Sequence, residues 1–182
     1  GAVPAITAVI DGVARVGINE LEHERILGPA KKVGEREIAL AIAQRWPVGA
    51  TTVSASLLLA SRAGIGVFAT GGIGGVHKES TFDISTDLQA LASIPMIVVC
   101  AGAKAILNLP ATMEYLETMA VPVVGYQTDN FPAFYSRESG LKVSVRLDTP
   151  DDIVKMAQAH WQMGMRSAIL VTNPVPAEDA IP

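Results

Sequence analysis

Two apolar runs, residues 5–10 and 13–18, flank Asp11-Gly12 near the start of the chain. An Asp-Gly pair between such runs predicts a tight antiparallel hairpin. Asn19 then precedes "ELEHERIL" and Gly28-Pro29 follows it, the signature of a short capped helix. A second helix is predicted over residues 35–45, stopped by Pro47 and Gly49, and a third over residues 51–62, ended by Gly64. Beyond that the pattern alternates. Apolar runs at 65–72, 95–102, 121–126 and 167–174, with "KVSVRL" at 142–147, read as strands. Helical segments at 86–93, at 110–120 and from Thr149-Pro150 onward separate them, the last placing Ile153, Ala157 and Trp161 on one face. Strands that are apolar at successive residues belong to a parallel sheet covered on both faces. The expected fold is a three-layer α/β/α sandwich with a mostly parallel mixed sheet, one domain over residues 1–182, the hairpin adding its antiparallel strands.

Composition narrows the function. The chain has 182 residues, 49% of them hydrophobic, which is enough for one sizeable core. Eighteen acids against fourteen bases give a net charge of −4 and no basic stripe, which argues against a nucleic-acid polymer as partner and leaves room for a small phosphorylated ligand. The single cysteine, Cys100, lies in an apolar run and reads as core in a reducing compartment. No apolar run reaches the roughly 18 residues of a membrane span. The N-terminus reads as a strand without a basic targeting region, so a soluble, cytoplasmic protein is expected. Gly1 in place of methionine and the mid-loop ending at Ile181-Pro182 read as a piece of a longer chain.

In parallel sheets ligands bind beyond the carboxyl ends of the strands. That rule selects Gly71–Asp87, Gly102–Lys104, Tyr126–Arg137 and Asn173–Pro176. Gly71, Gly72, Gly74 and Gly75 would let a backbone approach a ligand with its N–H groups turned inward, or simply form a flexible loop. The same segment holds His77, Asp83, Ser85 and Asp87. Two carboxylates and a hydroxyl at that spacing suit Mg²⁺ or Mn²⁺, whereas Ser85 or Thr86 would equally cap the 86–93 helix with Asp87 at its positive end. Thr51-Thr52 at a helix start suits a bound anion or ordinary capping. Lys31-Lys32 reads as a solvated pair, and His23 and His160 as surface or packing residues on amphipathic helices. Lys104 stands among Ala103, Ala105 and Ile106, an unusual setting for an ammonium unless it snorkels to water.

The runs "GATTV", "FATGGIGGVH", "TFDIS", "VVCAGAK", "EYLET", "VPVVGYQTD", "FPAFYSR", "RLDTP" and "NPVP", in this order, resemble the pseudouridine-5′-phosphate glycosidases, a family that includes indigoidine-cluster A-type proteins. The resemblance covers nearly the whole chain. It implies an α/β/α fold, a homotrimer, a divalent Mn²⁺ or Mg²⁺, and reversible cleavage of pseudouridine 5′-phosphate to uracil and ribose 5-phosphate. It places the catalytic lysine on Lys104, the metal-binding aspartate on Asp83, and substrate contacts on Ser85, Thr86 and Asp87. Lys32 and Val53 fall on ligand contacts, and His77 on an active-site histidine. The chemistry explains the lysine. A carbon leaving group needs an electron sink, and an amine added at C1′ of the opened ribose supplies one, so an amine kept unprotonated among alanines is a nucleophile.

Three departures accompany the resemblance. The family's general-acid glutamate belongs to an N-terminal segment with no match here, and an active-site asparagine belongs to a region beyond Pro182. The loop "HKESTFDIS" is also about two residues shorter than the family's pattern, with Glu79 as the alternative acid. Three readings follow: a C-glycosidase acting through Lys104, a non-catalytic sugar-phosphate-binding or assembly core of the same fold, and an aldolase-like Schiff-base enzyme.

Overall fold

Asp11 and Gly12 adopt φ of 49° and 75°, the left-handed pair that a two-residue hairpin turn requires. They join β1 (Thr7–Ile10) to β2 (Val13–Val16) in antiparallel register. Arg25 grips the turn through both oxygens of Asp11, at 2.9 and 2.8 Å, and donates to the Pro47 carbonyl at 2.9 Å. It belongs to α1 (Glu20–Leu27), which Asn19 caps as the sequence predicts, with Glu22 completing a capping box. The computed structural model describes residues 1–79 and 82–181. The chain forms two compact units, Gly1–Ile65 and Gly66–Pro182.

In the first unit the hairpin does not extend a parallel sheet. It belongs to a four-stranded mixed sheet, ordered β2-β1-β4-β3, with β3 (Lys31–Val33) and β4 (Val48–Thr51). The sequence reading missed both strands. Pro47 and Gly49 resemble helix breakers, but Gly49 is there because a Cβ would lie 2.6 Å from Val33 and 3.2 Å from Val9. The helix expected over 35–45 is a 3-10 turn (Glu35–Glu37) followed by α2 (Ile38–Ala43). It ends where Arg45 turns left-handed at φ 50°. The helix expected from residue 51 starts at Val53, because Thr51 belongs to β4; α3 is Val53–Arg62. Val9, Val33, Ile38, Ala41, Ala55 and Leu59 close the core of this unit.

The second unit carries β5 (Val67–Ala69), β6 (Val76–His77), α4 (Thr86–Ser93), β7 (Ile97–Cys100), β8 (Leu107–Asn108), α5 (Leu109–Thr118), β9 (Val123–Tyr126), β10 (Val145–Leu147), α6 (Pro150–Gln162) and β11 (Ile169–Thr172). Five strands form a parallel sheet ordered β10-β9-β11-β7-β5, and β6 pairs with β8 in a separate antiparallel ribbon. The central strand of the five is β11, and every residue of it is buried. Thr149 caps α6 as predicted, and Ile153 and Ala157 pack on Val124, Ile169 and Val171 with Trp161 beside them. The fold is thus the expected mixed α/β class with a parallel sheet. Among the described residues no helix is long and apolar enough to cross a membrane.

Cys100 ends β7 and is buried; desolvation pushes its thiol up to about 12, so it is core, as read from sequence. Two residues on, Gly102 sits at φ +89°, where a Cβ would collide with the Pro132 carbonyl oxygen. A substitution there is strained in its backbone and also blocked by a rigid neighbour. Gly102→Ala is expected to cost at least about 2 kcal/mol, a Tm drop of roughly 4–8 °C in the intact protein. An unchanged Tm would show that the 130–134 segment moves aside freely.

His160 bonds through Nε2 to Ser167 Oγ at 2.9 Å, and burial lowers its pKa from the ordinary 6.5. The folded chain therefore takes up this proton less readily than the unfolded chain. The stability this confers is fully present above the ordinary value and is lost as pH falls below it. The Tm loss between about pH 7.5 and 5.5 should be smaller in His160→Gln than in the wild type. Parallel pH profiles would contradict this.

Candidate active site

The parallel pairing of β5 with β7 does not stop where the strands end. Val67 lies opposite Ile97, and in unchanged register Ile73 lies opposite Ala103. Thr70 N–H donates to Val99 O at 3.0 Å, Ala101 N–H to Gly71 O at 3.0 Å, Ile73 N–H to Gly102 O at 3.1 Å, and Lys104 N–H to Ile73 O at 3.4 Å. This extension delivers Lys104 to the carboxyl end of the sheet. The other carboxyl-end segments converge on the same strand. Phe134 N–H donates to Ala101 O at 2.9 Å and Asn173 N–H to Cys100 O at 2.8 Å, while Arg137 reaches the Val175 carbonyl. The four segments chosen from the strand rule are therefore neighbours.

The glycine loop is a packing element. Added Cβ atoms would strike the Phe134 ring at Gly72, Ser85 at Gly74 and Thr112 at Gly75. Four N–H groups of this segment are also already bonded within the protein. Ile73 N–H goes to Gly102 O, Gly74 N–H to Asp87 Oδ2 at 2.9 Å, Val76 N–H to Thr112 Oγ1 at 3.0 Å, and His77 N–H to Asp83 O at 2.9 Å. An anion cradle made of these four groups is thereby ruled out, because each already donates to an acceptor within the protein.

What the segment offers a ligand is side chains. β6 runs between β8 on one side and residues 83–85 on the other, with Val76 opposite Ile84 and Ser85 N–H donating to Gly75 O at 3.0 Å. His77 and Asp83 are brought together, Nδ1 to Oδ2 3.8 Å, both largely exposed. Ser85 is the N-cap of α4 and accepts from Asp87 N–H, so the capping reading holds for it, while Thr86 is the first, exposed residue of that helix. Asp87 is 7% exposed and holds Gly74. Asp83, Ser85 and Asp87 therefore do different jobs, and no group of three His, Cys, Asp or Glu side chains able to hold a metal occurs among the described residues. The exposed Asp83 carboxylate beside the His77 imidazole suits a hard cation that keeps most of its waters, and does not suit a closed cage.

Lys104 is exposed, as are Ala105 and Ile106 after it. The apolar pocket expected around its ammonium is not formed by its own neighbours in sequence, because the chain turns outward here: Ala103 is buried at 0% but Ile106 is 72% exposed. Beside it a groove of about 420 Å³ is lined by Lys78, Ala105, Leu107, Asn108 and Ser139, with Lys78 Nζ donating to Ala105 O at 3.2 Å. Glu79, the alternative acid, is exposed, and its neighbours Ser80 and Thr81 lie outside the described residues.

Lys32 and Val53 are carried by the first unit. Lys32 is exposed on β3, an edge strand, where Lys31 lies over the Trp46 ring at 4.4 Å. Val53 is the 9% exposed first residue of α3, after Thr52. Thr51 spends its hydroxyl on Thr7 and Ser56, so it is structural. The sequence reading missed the β6–β8 ribbon, Thr112 and Phe134; Asn108 followed by Leu109-Pro110, an N-cap before a first-turn proline, was the one available signal.

Comparison with known proteins agrees with this architecture. Residues 1–182 match the family described as Indigoidine synthase A like protein. A pseudouridine-5′-phosphate glycosidase of Solibacter usitatus is 53% identical over 186 residues, spanning 100% of this chain and 62% of that protein. An indigoidine synthase A-like protein of Thermotoga maritima superposes with a TM-score of 0.93 at 40% identity, over 98% of this chain and 60% of its own. A prealnumycin C-glycosynthase, solved in complex with ribulose 5-phosphate, superposes with a TM-score of 0.94 at 42% identity, over 100% of this chain and 61% of its own. The chain thus spans about 60% of the length of these relatives. With its whole length matched and its sheet, ribbon and glycine loop in place, the chain belongs to the indigoidine synthase A-like family.

Proposed function

We propose that this chain is the core of a C-glycosidase that reversibly cleaves pseudouridine 5′-phosphate to uracil and ribose 5-phosphate. The observation that carries the reading is the ladder that ends on Lys104 at the carboxyl edge of the parallel sheet, in a chain 53% identical to a protein named for this reaction. The C1′–O4′ bond of the ribose breaks, O4′ taking a proton as the ring opens, and the ε-amine forms its bond to C1′ and gives up a proton. The C1′–C5 bond then breaks, its electron pair passing to the uracil carbon, which is protonated as uracil leaves. Water hydrolyses the remaining imine, releasing ribose 5-phosphate and the free amine. The Asp83 carboxylate with His77 is the donor set for Mn²⁺ or Mg²⁺, which would supply a local positive charge for the sugar phosphate. Ser85, Thr86 and Asp87 border this set as substrate-side residues; the ligand contacts assigned to Lys32 and Val53 rest on the resemblance alone.

An imine also needs protection from water. Phe82 and Ile106, 89% and 72% exposed, flank Asp83 and Lys104. Large apolar side chains left bare this near to Asp83 and Lys104 in the chain support a covering surface, and a homotrimer is the assembly we propose to supply it. A reducing, cytoplasmic setting suits the single buried thiol.

Uracil release from pseudouridine 5′-phosphate by the intact protein tests the reaction, and Lys104→Ala should lower it by about 10³-fold or more. Release of uracil at an undiminished rate by that variant would overturn the assignment. Asp83→Ala should abolish the response of the rate to added Mn²⁺ while leaving the Tm within about 2 °C, since an exposed carboxylate contributes little to folding. A wild-type rate unaffected by a chelator would remove the metal role of Asp83.

A further inference from the structure

Thr112, the fourth residue of α5, is fully buried yet polar. Its hydroxyl donates to Asn108 O at 2.8 Å, the routine back-bond of a helical threonine. The same oxygen accepts the Val76 N–H at 3.0 Å, and that second bond is not routine. Val76 and Asn108 are register partners in the β6–β8 ribbon, so one buried hydroxyl touches both strands at one rung. Gly75 packs so closely that any Cβ would overlap the threonine side chain. The next rung pairs His77 with Leu107, and Leu107 N–H donates to Lys104 O at 3.0 Å. A continuous path of backbone bonds therefore runs from the Thr112 hydroxyl through β6 and β8 to His77 and to the turn that bears Lys104.

We propose that Thr112 is a positioning residue for the reaction proposed above: its hydroxyl fixes the ribbon rung that sets His77 relative to the Lys104 turn. The proposal rests on that reading of the site. Removing the hydroxyl leaves the partly buried Val76 N–H without this acceptor, and the strand relieves this by shifting toward another one. A shift of that kind leaves substrate binding by the surrounding loops largely intact but misplaces a reacting group.

The test compares Thr112→Val, which keeps the shape and loses the hydroxyl, with Thr112→Ser, which keeps the hydroxyl and loses a methyl. In the intact protein, Thr112→Val should lower kcat for uracil release by about 10-fold to 100-fold with KM changed less than about twofold. Thr112→Ser should restore kcat to within about threefold of the wild type, even if its Tm is the lower of the two. A Thr112→Val kcat within about twofold of wild type, or equal kcat losses in both variants, would overturn the proposal. Amide hydrogen exchange at Val76 and His77 is read alongside, because it does not depend on the substrate. Faster exchange there in Thr112→Val alone supports the positioning role even if the wild type releases no uracil, a result that would instead defeat the proposed reaction. Unchanged exchange at both amides would overturn the role regardless of activity.

Discussion

Ile73 donates its main-chain N–H to Gly102 O and accepts the Lys104 N–H on its own carbonyl oxygen. Ile73 is fully buried, so both of its main-chain polar groups must be paired inside the protein, and the two partners flank Ala103 immediately before the lysine. The β5–β7 register is thereby carried past the strand ends, and Lys104 is held by a sheet rather than by a loose loop. A site built on a strand extension is placed more precisely than one on a mobile turn. The rest of the carboxyl edge is organised around this ladder: the Phe134 segment from one side, the Asn173 segment from another, and the ribbon through Leu107.

Crowding explains the glycines. The loop from Gly71 to Gly75 passes so near Phe134, Ser85 and Thr112 that side chains on it would have nowhere to go. The N–H groups of Ile73, Gly74 and Val76 are used in holding that path, and the side chains at its margins are what face outward. Those margins are where His77, Asp83 and Lys104 are exposed. Rigid backbone inside and exposed polar side chains outside is the division expected of a site that must hold a ligand without rearranging the fold.

Much of this was legible in the residue pattern. Asp11-Gly12, the Asn19 and Thr149 caps and the fully buried β11 each encode their own structure within a few residues, so periodicity and capping rules suffice. The strands that escaped notice, β3, β4, β6 and β8, are two to four residues long and owe their existence to partners elsewhere in the sequence. Gly49 looked like a breaker, when it is a close-packing position between Val9 and Val33. Spacing could not divide the roles of Asp83, Ser85 and Asp87, since a burial of 7% for Asp87 and a cap for Ser85 are set by tertiary contacts with Gly74 and α4. The position of Lys104 was readable from its strand; its exposure was not, because that depends on which way the chain turns after Ala103.

The claim that Lys104 is the amine that carries the sugar is tested most directly by trapping the imine. Ribose 5-phosphate is added to the intact protein with borohydride, and the reduced adduct is mapped by mass spectrometry. The account predicts one ribityl phosphate on Lys104, absent from Lys104→Ala. An adduct on Lys31, Lys32 or Lys78 in its place would contradict it.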